Sequence, residues 1–484
     1  MPCDHCTVAP GEDRRAGDHA DFELVIVGSG AAAFGAALRA AELGARVAMV
    51  ERGTLGGTCV NVGCVPSKVL VRAAESLHRA QRTPFEGLMV GGSLVDFGRL
   101  MGQKDRLIAD LREAKYADVL RSLPNVSLIE GHGEFVARGE LRVGDRVLRS
   151  ERFLIATGAR PLTLPIPGLE GSGYLTSTSA LALRELPASM LVLGGRYIAL
   201  ELAQAFARLG TKVTVLQRSA HLLPTEDDAI TEALRGHLEA EGIRIVTGVT
   251  ARAVRGGVHG VEIEVVLEGR SEAFRAERLL CATGRRPNSD GMGLSCVGAE
   301  VGADGHIRVD RFLETMAPGI YAAGDVIGEP AFVYTAAWEG RLAAENALSG
   351  TRRAADHGAV PWVVFTDPQV AGVGLTERAA RAKGVPVDVA RLPLSAVPRA
   401  LAARDTRGLI QLVKEQGGDR LLGATILAPE AGELIMEPTL AIRYGIAVSQ
   451  LASTFHPYLT QSEGLKLAAQ TFTKDVSQLS CCAG

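Results

Sequence analysis

Two of the eight cysteines in this 484-residue chain have the spacing and neighbours to act together. Cys59 and Cys64 lie in Leu55–Lys68, which reads Leu-Gly-Gly-Thr-Cys-Val-Asn-Val-Gly-Cys-Val-Pro-Ser-Lys and leads into a helical pattern. On an ideal helix, turning about 100° per residue, two such positions point away from each other. A disulfide needs its Cα atoms within about 7 Å, so joining this pair requires a bent first turn. Gly56, Gly57, Asn61 and Gly63 are residue types that permit one. A helix N-terminus favours the thiolate, which makes reduced cysteines good nucleophiles and metal ligands. Lys68 falls one turn after Cys64 on the same face, where its charge could stabilise a thiolate or an anionic cofactor. The stretch therefore predicts a redox dithiol beside a cofactor. The vicinal Cys481-Cys482 forms a second pair close to the C-terminal end. Cys3-Asp4-His5-Cys6 has the spacing of half a zinc site with no second half, within residues 1–20, expected to be a disordered tail. Cys281 and Cys296 sit in apolar sequence and read as inert core thiols.

The elements that must position the dithiol are legible as a duplication. Phe22–Gly28 reads as a buried strand, and Gly28-Ser-Gly30-Ala-Ala-Ala33 turns into an alanine-rich helix ending near Gly44. Arg46–Glu51 follows as the next strand, and Glu51 can bond both hydroxyls of a ribose. This is the βαβ dinucleotide fingerprint with alanine in third place. The pattern returns with strand Leu191–Gly194, helix Arg196–Leu209 and strand Lys212–Leu216. Here Gln217 takes the place of the acid and Arg218 follows, which favours a 2′-phosphate and hence NADPH over NADH. Arg196 replaces the second fingerprint glycine, where it could itself bind phosphate.

Each half also ends in a similar strand and turn, at Phe153–Pro161 and Leu279–Pro287, read as crossings between two nucleotide domains. Ile320–Asp325 is a further strand with an aspartate at its carboxyl end, where open α/β sheets bind ligands. From about residue 351 no nucleotide motif remains. Strands at Val360–Phe365, Gly408–Lys414 and Leu421–Ala428, with helices at Thr376–Lys383 and Ala431–Gly445, predict an α+β dimerisation module. The fold class expected is α/β, with two doubly wound, Rossmann-like dinucleotide domains and a C-terminal α+β domain. The first dinucleotide domain is split into 21–160 and 286–350, the second, for NADPH, spans 161–285, and the dimerisation domain spans 351–484.

The net charge of −3 and the lack of a long basic run point away from nucleic acid and anionic membranes. Met1–Ala20 lacks the apolar core of a signal peptide, and no uncharged apolar run approaches the length that spans a bilayer. A cytoplasmic protein is expected, a setting in which a disulfide is usually catalytic.

Two dinucleotide folds, Cys-x4-Cys before Pro-Ser-Lys, the Ala-Gly-Asp strand and a C-terminal interface domain resemble the flavin disulfide reductases from Phe22 onward. Within that superfamily the active-site stretch and the tail Lys466–Gly484, with its Cys481-Cys482, resemble the mercuric reductases. The resemblance implies FAD contacts at Gly28, Gly30, Ala33, Glu51, Gly53, Thr58, Lys68, Gly133, Thr157, Gly158, Asp325 and Val333. It implies NADPH docking around Gly194, Glu201, Arg218 and Gly284, with Lys68 and Glu201 forming an ion pair beside the flavin. It further implies a homodimer in which Cys481 and Cys482 of one subunit pass Hg(II), arriving as a thiolate complex, to Cys59 and Cys64. Cys64 would lie nearest the flavin and Cys59 would be the interchange thiol. Soft thiolates suit a soft ion. Tyr197 and Tyr458 match tyrosines near the family's metal path. His456-Pro457 followed by Glu463 resembles the His–Glu pair of disulfide-substrate reductases, but at a longer spacing than their His-Pro-Thr-x-x-Glu. In place of the fused N-terminal metal-binding domain of longer relatives stands only Cys3-x-x-Cys6. The alternatives are a dihydrolipoamide or glutathione-type disulfide reductase and a non-catalytic, metal-sequestering flavoprotein.

Overall fold

The computed structural model describes residues 20–257 and 260–479, so Cys3, Cys6, Cys481 and Cys482 lie outside the described residues. The chain divides into two compact units. One comprises the chain through Pro66 with Gln103–Leu162 and Gly284–His357; the other comprises Ser67–Gly102, Thr163–Thr283 and the chain from Gly358.

The first unit is built on a parallel sheet in the order Ile320–Ala322, Phe153–Ile155, Leu24–Val27, Val47–Glu51, Val126–Glu130. Its fingerprint strand, Leu-Val-Ile-Val, is buried on both faces, which is why it is continuously apolar rather than alternating. Leu24 and Ile26 pack under the helices Ala31–Glu42 and Val333–Leu348, while Val25 and Val27 meet Phe135, Leu141 and Leu148. Those three belong to an antiparallel sheet of Gly133–Ala137, Glu140–Val143 and Arg146–Arg149. The two helices approach backbone to backbone. A Cβ on Gly340 would lie 1.9 Å from the Ala32 carbonyl oxygen, and one on Gly35 would lie 2.2 Å from that of Ala337.

The second unit repeats the parallel theme in the order Arg244–Thr247, Lys212–Gln217, Ser189–Leu193, Arg278–Cys281. An antiparallel sheet of Thr250–Gly257, Gly260–Leu267 and Arg270–Ala276 contributes Val254, Ile263, Val265 and Phe274 to the same core as Leu191 and Leu279. A five-stranded antiparallel sheet runs Trp362–Val364, Gln369–Gly374, Leu421–Ala428, Leu409–Glu415, Val387–Pro393. Two of its strands, Gln369–Gly374 and Val387–Pro393, are not marked in the sequence pattern. The single helix expected over Ala431–Gly445 is two, Ala431–Leu434 and Met436–Tyr444, separated at Ile435.

Adding a methyl at the helix crossing has no room to be absorbed. Gly340→Ala should destabilise the full chain by about 1–3 kcal/mol, the range for overpacking a dense core, read as a lower urea midpoint.

Candidate active site

The two fingerprint turns are superimposable in their logic. Gly28 has φ +118°, and a Cβ there would lie 2.3 Å from the Ala156 carbonyl oxygen; Gly194 has φ +124°, with the Ala282 oxygen at 2.4 Å. In each case a glycine passes hard against the end of a neighbouring strand, in a conformation that side chains rarely adopt. The helices that follow, Ala31–Glu42 and Tyr197–Leu209, have no side-chain cap at Gly30 or Arg196, so their N-terminal amides remain available to an anion. Ala33, in the third fingerprint place, is fully buried. These cradles fit the pyrophosphates of FAD and NADPH.

At the end of the first unit's second strand, Glu51 Oε1 accepts from the Gly53 amide at 2.6 Å and Oε2 from the Ser29 hydroxyl at 2.6 Å. A carboxylate has roughly four acceptor positions, so two remain for ribose hydroxyls. Ser29 is buried, and its Oγ accepts from the Gly56 amide at 3.2 Å. No motif pointed to Ser29, because the fingerprint specifies only its flanking glycines.

The dithiol segment contains the bend anticipated from sequence. A short helix, Gly57–Val62, carries Thr58 and Cys59, and a long one, Cys64–Gln81, begins at the second cysteine. Between them Gly63 turns the chain back on itself. A Cβ there would lie 2.9 Å from the Thr58 carbonyl oxygen and 3.3 Å from Cys59 Cα. Within this chain Cys59 is half-buried and Cys64 exposed. Asn61 ties the short helix internally, donating to the carbonyls of Leu55 and Gly57 at 2.9 Å each, and Arg112 donates to Asn61 Oδ1 at 3.1 Å. Tyr116 stands edge-on to Phe34 in the same unit; burial, then negative charge at Cys59 and Cys64, pushes its phenol above the ordinary range.

Asp325 follows the edge strand Ile320–Ala322, with Arg285 Nε 3.6 Å from its Oδ2. Burial raises its carboxyl above the usual range, and Arg285 opposes that shift. The preceding amide, Gly324, donates to buried Glu339 at 2.8 Å, and Glu339 is bonded in turn to His357 at 2.7 Å. Val333 opens the long helix beyond this turn. Gly133 begins the small antiparallel sheet, where Leu141 and the side chain of Val27 would crowd a Cβ. At the two crossings, Ala159–Pro161 pairs antiparallel with Arg285–Pro287. Thr157 donates to the Asn288 carbonyl at 2.7 Å, and the Asn288 amide donates to the Gly158 carbonyl at 2.9 Å. The Gly284 carbonyl accepts from the Leu162 amide at 3.0 Å.

In the second unit Lys68 Nζ meets Glu201 Oε2 at 2.6 Å, as the resemblance implied. Sequence did not reveal the third member: the ammonium also lies 4.4 Å from the Phe365 ring centroid, and the Phe365 amide donates to Glu201 Oε1 at 3.0 Å. Tyr197, the first residue of its helix, stacks on Trp362 with centroids 5.6 Å apart. Arg218 and Arg196 are exposed beside the second fingerprint, while Gln217 is buried. Behind that turn Glu226 is buried with one carboxylate oxygen lacking a hydrogen bond, and burial raises its carboxyl to about 7.

Tyr458 is exposed within this chain. Two readings need correction. His456 does not engage Glu463: its Nε2 bonds Glu437 at 2.9 Å, and Glu463 keeps a buried oxygen without a hydrogen bond. Cys281 is a buried thiol, pushed up to about 12 by burial, but Cys296 is only half-buried.

Residues 22–340 match the family model for pyridine nucleotide-disulphide oxidoreductases, and residues 360–469 match the dimerisation domain of that family. The chain belongs to this family. It is 46% identical to a mercuric reductase of Staphylococcus aureus over 464 residues, covering 96% of this chain and 85% of the relative. It is equally similar, at 46% over 472 residues, to a mercuric reductase of Streptomyces lividans, covering 96% and 99%. Among solved structures, an HOCl-induced flavoprotein disulfide reductase, RclA, from Escherichia coli superimposes with a TM-score of 0.83 at 32% identity, covering 93% of this chain and all of that one. LpdA from Mycobacterium tuberculosis gives 0.83 at 29% identity, covering 93% and 99%. Among the described residues no helix is long and apolar enough to cross a membrane.

Removing the cation should leave Glu201 buried with only the Phe365 amide. Lys68→Met is expected to lower unfolding free energy by about 1–3 kcal/mol, measured by urea titration. Glu226 has a defined pH signature. Its folded pKa lies above the unfolded one, so the native state holds the extra proton and stability falls as pH rises from the unfolded value to about 7. Glu226→Gln should flatten that decline, gaining on the order of 3 kcal/mol relative to the parent across the window.

Proposed function

We propose that this protein is an FAD-dependent oxidoreductase that reduces Hg(II) to elemental mercury with NADPH, in the cytoplasm and as a homodimer. The carrying observation is the Cys59/Cys64 pair folded about Gly63 in the same compact unit as the first dinucleotide cradle. The similarity to mercuric reductases over 96% of the chain selects the substrate. The net reaction balances as NADPH and Hg(II) giving NADP⁺, a proton and Hg(0). In this reading 21–160 with 286–350 form the FAD domain, 161–285 the NADPH domain and 351–484 the dimer interface.

When bound, FAD accepts hydride equivalents from NADPH and delivers two electrons to the site. The chain's own residues do the rest. Gly28, Gly30 and Ala33 let the backbone receive the pyrophosphate, and Glu51 receives the ribose. Asp325, at the carboxyl end of its strand, accepts hydrogen bonds from the polyol chain. In the second fingerprint Gly194 shapes the turn, and Arg218 with Arg196 supplies positive charge for the 2′-phosphate and pyrophosphate of NADPH.

Cys59 and Cys64, as thiolates, hold Hg(II) during reduction, since soft sulfur ligands suit that ion. Cys481 and Cys482 collect the ion as a thiolate complex and pass it inward by ligand exchange, thiolate for thiolate, with no change in oxidation state. Tyr197 and Tyr458 border its route.

With purified holoenzyme, NADPH oxidation should begin on adding Hg(II) in excess thiol and be slower with NADH. Turnover of lipoamide or oxidised glutathione without response to Hg(II) would assign a disulfide reductase instead. Cys481→Ala with Cys482→Ala should depress Hg(II) turnover while NADPH still bleaches the flavin at the parental rate.

A further inference from the structure

We propose that Ser29 is a positioning residue that links the ribose-binding carboxylate of Glu51 to the dithiol segment, so that the cofactor's adenosine end helps to set Cys59 and Cys64. The inference rests on the assignment of Cys59 and Cys64 as the redox pair of an FAD enzyme, but not on mercury as substrate.

The chain of contacts is short and directional. A serine hydroxyl has one proton to give. The 2.6 Å contact to Glu51 Oε2, an acceptor-only group when ionised, takes that proton. The Ser29 oxygen is then left as an acceptor, and the Gly56 amide, 3.2 Å away, supplies the donor. Gly56 is the N-cap of the short helix that carries Cys59. A donor that gives to a carboxylate becomes a better acceptor behind, so a change at Glu51 is felt at Gly56.

A second contact runs in parallel. A Cβ on Gly57 would lie 2.7 Å from Gly30 Cα, so the backbone of the dithiol segment rests on the backbone of the fingerprint turn. Ser29 is 1% exposed, so its two hydrogen bonds are shielded from bulk solvent. The fingerprint demands nothing of this position, which lies between its two glycines. An alanine would complete the turn equally well and break both hydrogen bonds.

Ribose hydroxyls placed on the remaining lone pairs of Glu51 would draw on the same carboxylate that Ser29 and Gly53 already share. The dithiol segment thereby senses the far end of the cofactor, without contact between the adenosine and either thiol.

The test uses NADPH-reduced holoenzyme with saturating FAD. The rate of Cys59 alkylation by iodoacetamide is followed across pH, with the modified peptide located by mass. Ser29→Ala should keep FAD but change the alkylation rate at fixed pH by about fivefold, the size of one lost hydrogen bond. Ser29→Thr, which retains the hydroxyl, should restore the parental profile. Glu51→Ala should change the rate in the same direction, and the double variant should do no more than either single one.

An independent arm measures amide hydrogen exchange in the peptide containing Gly56. Glu51→Ala should accelerate it although Glu51 makes no hydrogen bond to that amide. A parental alkylation profile in FAD-loaded Ser29→Ala, multiplicative effects in the double variant, or unchanged exchange at Gly56 in Glu51→Ala would each overturn the proposal. None of these readouts involves Hg(II), so failure here leaves the mercury assignment to its own assay.

Discussion

Each dinucleotide cradle depends on a backbone that must pass within contact distance of a neighbouring strand end. At Gly28 the carbonyl of Ala156 occupies the space any side chain would need, and at Gly194 the carbonyl of Ala282 does the same. The close approach lets each strand release directly into a helix whose first amides stay unclaimed by side chains. At the first turn an anionic cofactor can then be recognised by backbone dipoles alone, without lysine or arginine at the turn itself, whereas the second turn carries Arg196. The functional acid, Glu51, sits one strand away because the parallel register places Val27 opposite Val50.

The dithiol segment is anchored onto that framework. Gly63 reverses the direction of a chain that would otherwise hold its cysteines on divergent faces, and Asn61 with Arg112 fixes the short helix before the bend. The long helix starting at Cys64 carries Lys68 one turn on, and there the cation is claimed by a buried carboxylate and an aromatic face. A surface ion pair would contribute little, whereas Glu201 is sequestered from water and bonded at both oxygens.

What could be read in the sequence was whatever local chain chemistry dictates. The fingerprint helices and strands, the bend between Cys59 and Cys64 and the strand before Asp325 follow from glycine placement and apolar runs. The paired crossings followed from the repeat of Ala-Thr-Gly. The residues missed are those whose partners are remote in sequence. Ser29 reaches Gly56, Arg112 reaches Asn61, Phe365 reaches Lys68, and His357 reaches the Gly324 turn through Glu339. Proximity along the chain misled at His456, where Glu463 looked the natural partner and Glu437, on another helix, is the actual one. Strands such as Gln369–Gly374 were hidden because a six-residue segment containing two glycines carries no periodic signal of its own.

The ribbon formed by Ala159–Pro161 and Arg285–Pro287 has a consequence for how such a molecule could arise. The chain leaves the first sheet and returns to it side by side, with the Leu162 amide bonded to the Gly284 carbonyl. More than a hundred residues intervene, yet the host sheet closes as though a hairpin joined its strands. Loop-closure entropy grows only logarithmically with the length of the intervening chain, so a whole nucleotide-binding module can be grafted at that point for little more than a short loop would cost. Neighbouring exit and return strands thus let a long segment be inserted there without breaking the pairing of the host sheet.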